Sequence, residues 1–156
     1  MDITELLAVQ QCWYEHIPHQ PTYSAQRLAH ELHVPGREIA KTVLLRAGIN
    51  GRHQFIVAVV PANKTVDFKR AAKLVRAGKV QLATELEIAA QCPDCDFGVL
   101  PPFGSRYGMK TIVDSSLAQD EEIWFEGNTH KDAIRMKFDD FQRLEKPQVA
   151  NFAADG

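Results

Sequence analysis

The chain has 156 residues, of which 45% are hydrophobic and 24% charged, and a formal net charge of −2. This composition excludes a disordered or fibrous protein, and at this length roughly 70% of the unfolded surface can be buried without a disulfide or metal staple. The small negative charge excludes a surface wrapped in nucleic acid on every side but leaves room for a local basic patch.

Residues 2–13 have helical spacing, with Ile3, Leu6, Leu7 and Gln10 on one face. The acidic start Met1-Asp2-Ile3-Thr4-Glu5 is unlike a secretory signal. The longest apolar run, residues 55–60, is far short of the roughly 20 residues that span a bilayer, so no membrane partner is expected. Pro18 and Pro21 break the chain, and Ser24 then caps a helix with Ala25, Leu28, Ala29 and Leu32 on its apolar face, ended by Pro35-Gly36. Residues 41–47 and 53–60 read as strands joined through Gly48-Ile49-Asn50-Gly51, an antiparallel hairpin. The second strand is apolar on both faces and is expected at the centre of a sheet.

Asp67 caps a helix to about Ala77, with Phe68, Ala72 and Val75 towards the core and Gly78 at its end. A short strand follows at 80–83. Thr84 and Glu87 then form a capping box for a helix to Gln91. Residues 92–104 carry Pro93, Pro101, Pro102, Gly98 and Gly104 and read as a functional or structural loop, not a domain boundary. Strands are predicted at 108–113, 122–126 and 133–138, the last alternating Ile134, Met136 and Phe138 with Arg135 and Lys137. Asp139 is expected to cap a final helix to Leu144, followed by a loose tail. The sum is an α+β fold: one domain over residues 1–156, with a mixed, largely antiparallel, partly barrel-like sheet and flanking helices.

The common catalytic signatures are absent: no G-x-S-x-G, no H-E-x-x-H and no G-x-x-x-x-G-K-[ST]. Lys41 begins an apolar strand, where its ammonium either faces solvent or projects into a cleft to hold a carbonyl oxygen or a phosphate. The loop from Phe97 to Gly104 either packs Phe103 on the core or presents free N–H groups to an oxyanion or a ribose. Lys69, Lys73 and Arg76 share one helix face, either an ordinary solvated face or a surface for phosphates. His130 lies between two strands, as a loop histidine or a substrate ligand. Asp114 ends a strand, as a cap for the next turn or a grip on an ammonium.

Three cysteines, an odd number, argue against a disulfide framework and for a reducing cytoplasm. Cys92-Pro93-Asp94-Cys95 is a single C-x-x-C. Cys12, His16 and His19 could join it only by coincidence of the fold, so no structural metal is expected. The motif does not open a helix after a strand, which also disfavours a thioredoxin-like role.

A set of marks then appears in order along the chain. His19 precedes Tyr23-Ser24-Ala25-Gln26-Arg27-Leu28-Ala29; Val34-Pro35-Gly36 leads to Ala40-Lys41-Thr42-Val43-Leu44-Leu45; Val59-Val60-Pro61 precedes Val66-Asp67. Gly98-Val99-Leu100-Pro101-Pro102-Phe103-Gly104, Val113-Asp114-Ser115-Ser116-Leu117, and Phe125 with Gly127 complete it. In these marks the sequence resembles the YbaK / prolyl-tRNA synthetase insertion-domain family of aminoacyl-tRNA editing deacylases, over about residues 14–144. Glu126 departs from the alanine common there, and Asn128-Thr129 replaces small residues.

The resemblance implies a free-standing deacylase, with no cofactor, that hydrolyses the ester of a mischarged tRNA in trans. Its partners would be the acceptor end of an aminoacyl-tRNA and a synthetase. It implies Lys41 as the catalytic charge near the ester, and Gly98, Val99, Leu100, Pro101 and Pro102 as the pocket wall. Gly127 would also bind substrate, and Asp114 and His130 would serve the amine or the ribose. The neighbouring ribose hydroxyl would help to position water. A synthetase separates small amino acids poorly, since a methylene contributes only about 1–3 kcal/mol. The expected substrate is therefore a small aminoacyl group on the tRNA for proline, alanine first, then cysteine, serine and threonine. The rival readings are a non-catalytic module binding a tRNA end or a nucleotide, and a small metal or thiol protein built on Cys92 and Cys95.

Overall fold

The computed structural model describes residues 2–156. Asp2 opens helix α1 (Ile3–Val9) by accepting the Glu5 N–H at 3.0 Å, and Ile3 and Leu7 turn into the core. The chain then extends as β1 (Tyr14–Pro18), a strand the prolines hide from pattern reading because Pro18 ends it. Ser24 caps α2 (Ala25–Leu32), and His33 stops it in the left-handed region at φ 55°, ahead of the expected Pro35-Gly36.

Strands β2 (Ala40–Ile49) and β3 (Arg52–Pro61) form the predicted hairpin, turned by Asn50 and Gly51 at φ 54° and 75°. A short β4 (Lys64–Val66) leads to α3 (Phe68–Val75), capped by Asp67. Its first residue, Phe68, is exposed, and Ala71 is buried in its place. After β5 (Lys79–Leu82) the Thr84 capping box starts α4 (Glu85–Gln91) as the sequence predicts.

The Pro/Gly loop delivers the chain to β6 (Lys110–Asp114), β7 (Glu122–Glu126) and β8 (Asp132–Lys137). Helix α5 (Phe138–Glu145) begins two residues earlier than expected: Lys137 occupies the cap position without a side-chain bond, and Asp139 lies in the first turn. The tail is not loose. Residues Gln148–Ala150 (β9) and Ala153–Asp155 (β10) are strands, and Phe152 between them is fully buried. An apolar ring taken out of water supplies the free energy that orders this segment.

Three sheets result: β5-β2-β3-β6-β9, β1-β8-β7 and β10-β4. The pairings are antiparallel except β3-β6 and β6-β9, and the doubly apolar β3 is central. No closed barrel forms among the described residues. The two larger sheets pack across a shared core and are bridged by Ile39 and Trp124, so the partly barrel-like arrangement stays open. Between them lies the largest core cluster, where the Phe103 ring stands edge-on to Phe125 at 5.8 Å and to Phe141 at 5.2 Å.

The loop is anchored there by Gly104 as well. A Cβ at Gly104 would lie 2.7 Å from Thr111 Oγ1, 2.8 Å from Val57 Cγ2 and 3.0 Å from the Met109 carbonyl oxygen. Val57 and Thr111 are buried and cannot withdraw. Gly104→Ala is therefore expected to lower stability by about 1–3 kcal/mol through overpacking. Urea unfolding checks this as a lower midpoint at unchanged slope.

Candidate functional site

Strand β5 covers β2 only from Leu45 to Gly48, so β2 has no paired strand beside Ala40–Thr42 on that edge. A cavity of about 260 Å³ opens along this stretch. Lys41 and Thr42 line it from the strand, Ser24 and Leu28 from the start of α2, Gly98 and Leu100 from the Pro/Gly loop, and Glu126 and His130 from the end of the second sheet. Four segments far apart in sequence thus meet on one small pocket whose lining is about equally polar and apolar.

Lys41 is half-buried, and burial lowers the pKa of its ammonium from the ordinary 10.5. The Nζ donates one hydrogen bond to the Lys64 carbonyl oxygen at 2.7 Å, which leaves two N–H groups for a ligand.

The loop satisfies both of its sequence readings. Phe103, Val99, Pro101 and Pro102 are buried and hold it rigidly, while Gly98 and Leu100 face the cavity. The Val99 N–H is taken by the Asp96 carbonyl and the Phe103 N–H by the Pro101 carbonyl. Among the described residues, the N–H groups of Gly98 and Leu100 have no partner. Gly98 adopts φ 85°, a conformation open to glycine and strained for other residues.

His130 clasps this loop. Its Nε2 donates to the Phe97 carbonyl oxygen at 2.8 Å, its N–H to Asp96 Oδ2 at 3.1 Å, and its ring packs against Tyr23 at 4.7 Å. Since a carbonyl oxygen only accepts, the proton is on Nε2, and neutral His130 presents Nδ1 as an acceptor. Glu126 Oε2 stands 3.8 Å from that Nδ1. Burial raises the Glu126 carboxyl from 4.5 to about 7; a charge on His130, when it is protonated, opposes the rise, and the nearby Asp96 adds to it. The exposed rings of Tyr23 and Phe97 stand at the mouth, lining an adjoining cavity of about 470 Å³.

Other candidates from the sequence lie elsewhere. Asp114 is buried, and its carboxylate accepts the Phe152 N–H at 3.0 Å, the Ala153 N–H at 2.9 Å and both the N–H and hydroxyl of Ser116. It lines no part of the cavity and ties the tail strands to β6. Gly127 faces a separate cavity of about 120 Å³ with Asp2 and His16. Lys69, Lys73 and Arg76 are exposed on α3, outside the pocket.

Cys92 and Cys95 are joined in a disulfide, which corrects the expectation drawn from the odd count; Cys12 remains free. The bridge spans a turn already closed by the Cys95 N–H to the Cys92 carbonyl at 3.1 Å, so it links no distant segments. Asp94 is close to both sulfurs, but bonded sulfurs offer a cation no thiolate.

Pattern reading missed Ser24 as a lining residue because it was accounted for as a helix cap, a bond it does make to the Arg27 N–H at 3.1 Å. Thr42 and Glu126 it missed as well. The signal for Glu126 was visible as a carboxylate in place of a small residue at the end of an apolar strand.

Comparison with known proteins points in one direction. Residues 19–144 match the model of the aminoacyl-tRNA editing domain. The multifunctional Ser/Thr-tRNA deacylase ProXp-y of Escherichia coli (strain K12) is 26% identical over 114 residues, 72% of this chain and 68% of that protein. The crystal structure of hypothetical protein APE2540 superposes with a TM-score of 0.87 at 18% identity, over 97% of this chain and 99% of that one. A proposed trans-editing enzyme for prolyl tRNA synthetase gives 0.78 at 20% identity, over 97% and 94%. At such identities these two structures speak for the fold alone. The family match spans all the segments that build the cavity, and on it the chain belongs to the aminoacyl-tRNA editing domain family and is an aminoacyl-tRNA deacylase.

Proposed function

We propose that the cavity hydrolyses the ester of a tRNA mischarged with a small amino acid, with serine and threonine ahead of alanine and cysteine. The observation that carries this reading is the meeting of one lysine ammonium with two unpartnered N–H groups, Gly98 and Leu100, on a pocket of about 260 Å³. Water attacks the ester carbonyl, and the charge that develops on oxygen is met by Lys41 and the loop donors. The tetrahedral species collapses with cleavage of the bond to the ribose oxygen, which takes up a proton. An aminoacyl ester is already an activated acyl group, so the enzyme need only hold it, place water and stabilise the oxyanion. The neighbouring ribose hydroxyl helps to position the water.

Serine and threonine move ahead of alanine for two reasons. The lining carries hydroxyl groups, with Ser24 and Thr42 able to bond a side-chain hydroxyl. The curated relative is itself a Ser/Thr-tRNA deacylase. The terminal base would stack on the exposed rings of Tyr23 and Phe97. The acceptor stem would run along Lys69, Lys73 and Arg76, on the helix that follows the strand whose Lys64 carbonyl holds Lys41. Acting in trans on the tRNA for proline, the protein would remove errors its synthetase leaves.

The test is deacylation of tRNAs charged separately with serine, threonine, alanine, cysteine and proline. Hydrolysis of the serine or threonine ester with the proline ester spared is expected. Turnover of alanine or cysteine alone would reverse the substrate order. No turnover of any of the five by folded protein would favour a module that binds the tRNA end without catalysis.

A further inference from the structure

The proposed mechanism uses the lysine side of the cavity and leaves Glu126 and His130 without a task. Both side chains are mostly shielded, at 21% and 17% exposure. His130 Nδ1 is a buried nitrogen with no hydrogen-bond partner among the described residues. Its Nε2 proton is already given to Phe97, so Nδ1 needs a donor. Across the gap stands Glu126 Oε2 at 3.8 Å, itself an acceptor when ionised and too far away for a direct bond. Two acceptors therefore face a space that one donor nitrogen with several N–H groups can bridge.

Charge narrows the choice of donor. Among the described residues, His130 is the base that stands against Glu126, and while its Nδ1 is an acceptor it carries no charge; the Lys41 ammonium is turned to the Lys64 carbonyl. Asp96 adds a second negative charge nearby. A bridging water would satisfy the hydrogen bonds but leave this carboxylate uncompensated in a shielded place; an ammonium does both. The aminoacyl ester carries its ammonium one carbon from the carbonyl that Lys41 and the loop donors would polarise, so the poles of cavity and substrate correspond.

We propose that Glu126, with His130 Nδ1 beside it, binds the free α-ammonium of the aminoacyl ester, so that the site takes esters with a free amine and rejects N-acylated ones. This rests on the deacylase reading above and adds the group that orients the substrate. It also gives a role to Glu126, which departs from the alanine common in the resembled family.

The experiment compares the aminoacyl-tRNA that wild type turns over fastest with the same molecule N-acetylated, leaving tRNA, ester and side chain unchanged. Wild type is expected to discriminate by about 10–100-fold in kcat/KM, the range of a charge-assisted hydrogen bond. Glu126→Gln, which keeps shape and removes charge, is expected to lose most of that factor on the free-amine ester alone, chiefly through KM. Its thermal midpoint should stay near that of wild type. Equal turnover of both esters by wild type would overturn the proposal without any variant. An equal loss on both esters in Glu126→Gln would also overturn it, placing Glu126 on the ester or the water instead. Hydrolysis of neither ester by wild type would overturn the proposal together with the deacylase reading, so the two failures are distinguishable.

Discussion

Deacylation by a Lys41→Ala protein is expected to fall about 10²–10³-fold in kcat/KM, the usual loss when one donor to a developing oxyanion is removed from a shielded site. The expectation follows from position. Lys41 sits on the uncovered end of β2, half-buried, with one N–H held by Lys64 and two free. The bond to the Lys64 carbonyl fixes where the charge stands, so the ammonium is organised before substrate arrives. Lys41→Met keeps the aliphatic stem and its packing, and should lose as much activity as the alanine variant while melting closer to wild type. Single-turnover deacylation on the best ester from the tRNA panel checks this. Equal rates for wild type and both variants would leave an enzyme but take Lys41 out of its mechanism.

The second large effect concerns stability. Asp114 accepts two backbone N–H groups from the Phe152 and Ala153 tail and two more bonds from Ser116, all in the interior or at its edge. Asp114→Ala strands the tail donors and is expected to cost about 2–4 kcal/mol. For a chain of this length that lowers the melting midpoint by roughly 5–15 °C. The titration of this group has a definite sign. Burial pushes its carboxyl up, but the hydrogen bonds from Ser116, Phe152 and Ala153 outweigh burial and hold it below the ordinary 3.8. A depressed folded pKa contributes stability in full above the unfolded value, and that contribution is lost as pH falls through the folded value. The gap in stability between wild type and Asp114→Asn should therefore be wide at pH 7 and narrow below about pH 4. Urea melts of both proteins across that range measure it; a gap independent of pH would show that the charge is not what holds the tail.

The cavity was legible in part. Lys41 stood out as a charge at the head of an apolar strand, and the Pro/Gly loop as a rigid segment with spare donors; both line the pocket. His130 was legible as a polar residue between strands. Asp114 was chosen on the same logic of an acid at a strand end, yet its oxygens are consumed by a tail that pattern reading left loose. Glu126 is the acid that lines the cavity, and only the packing of β7 beside the loop and β2 places it there.

Local chemistry accounts for what the sequence determined alone. The Ser24, Asp67 and Thr84 caps each bond an N–H three residues on, and the Asn50-Gly51 turn requires only its own two residues in the left-handed region. Such interactions close over a few residues and are written in consecutive positions. The rest depends on partners that no window contains. Strand β1 exists because β8 pairs with it, and the tail strands exist because β6 and β4 accept them around a buried Phe152. The pocket requires the edge of β2 to stay uncovered while segments around residues 24, 98 and 128 converge on it. Long-range pairing is set by the free energy of burying whole faces together, and that sum is taken over the folded chain, not along it.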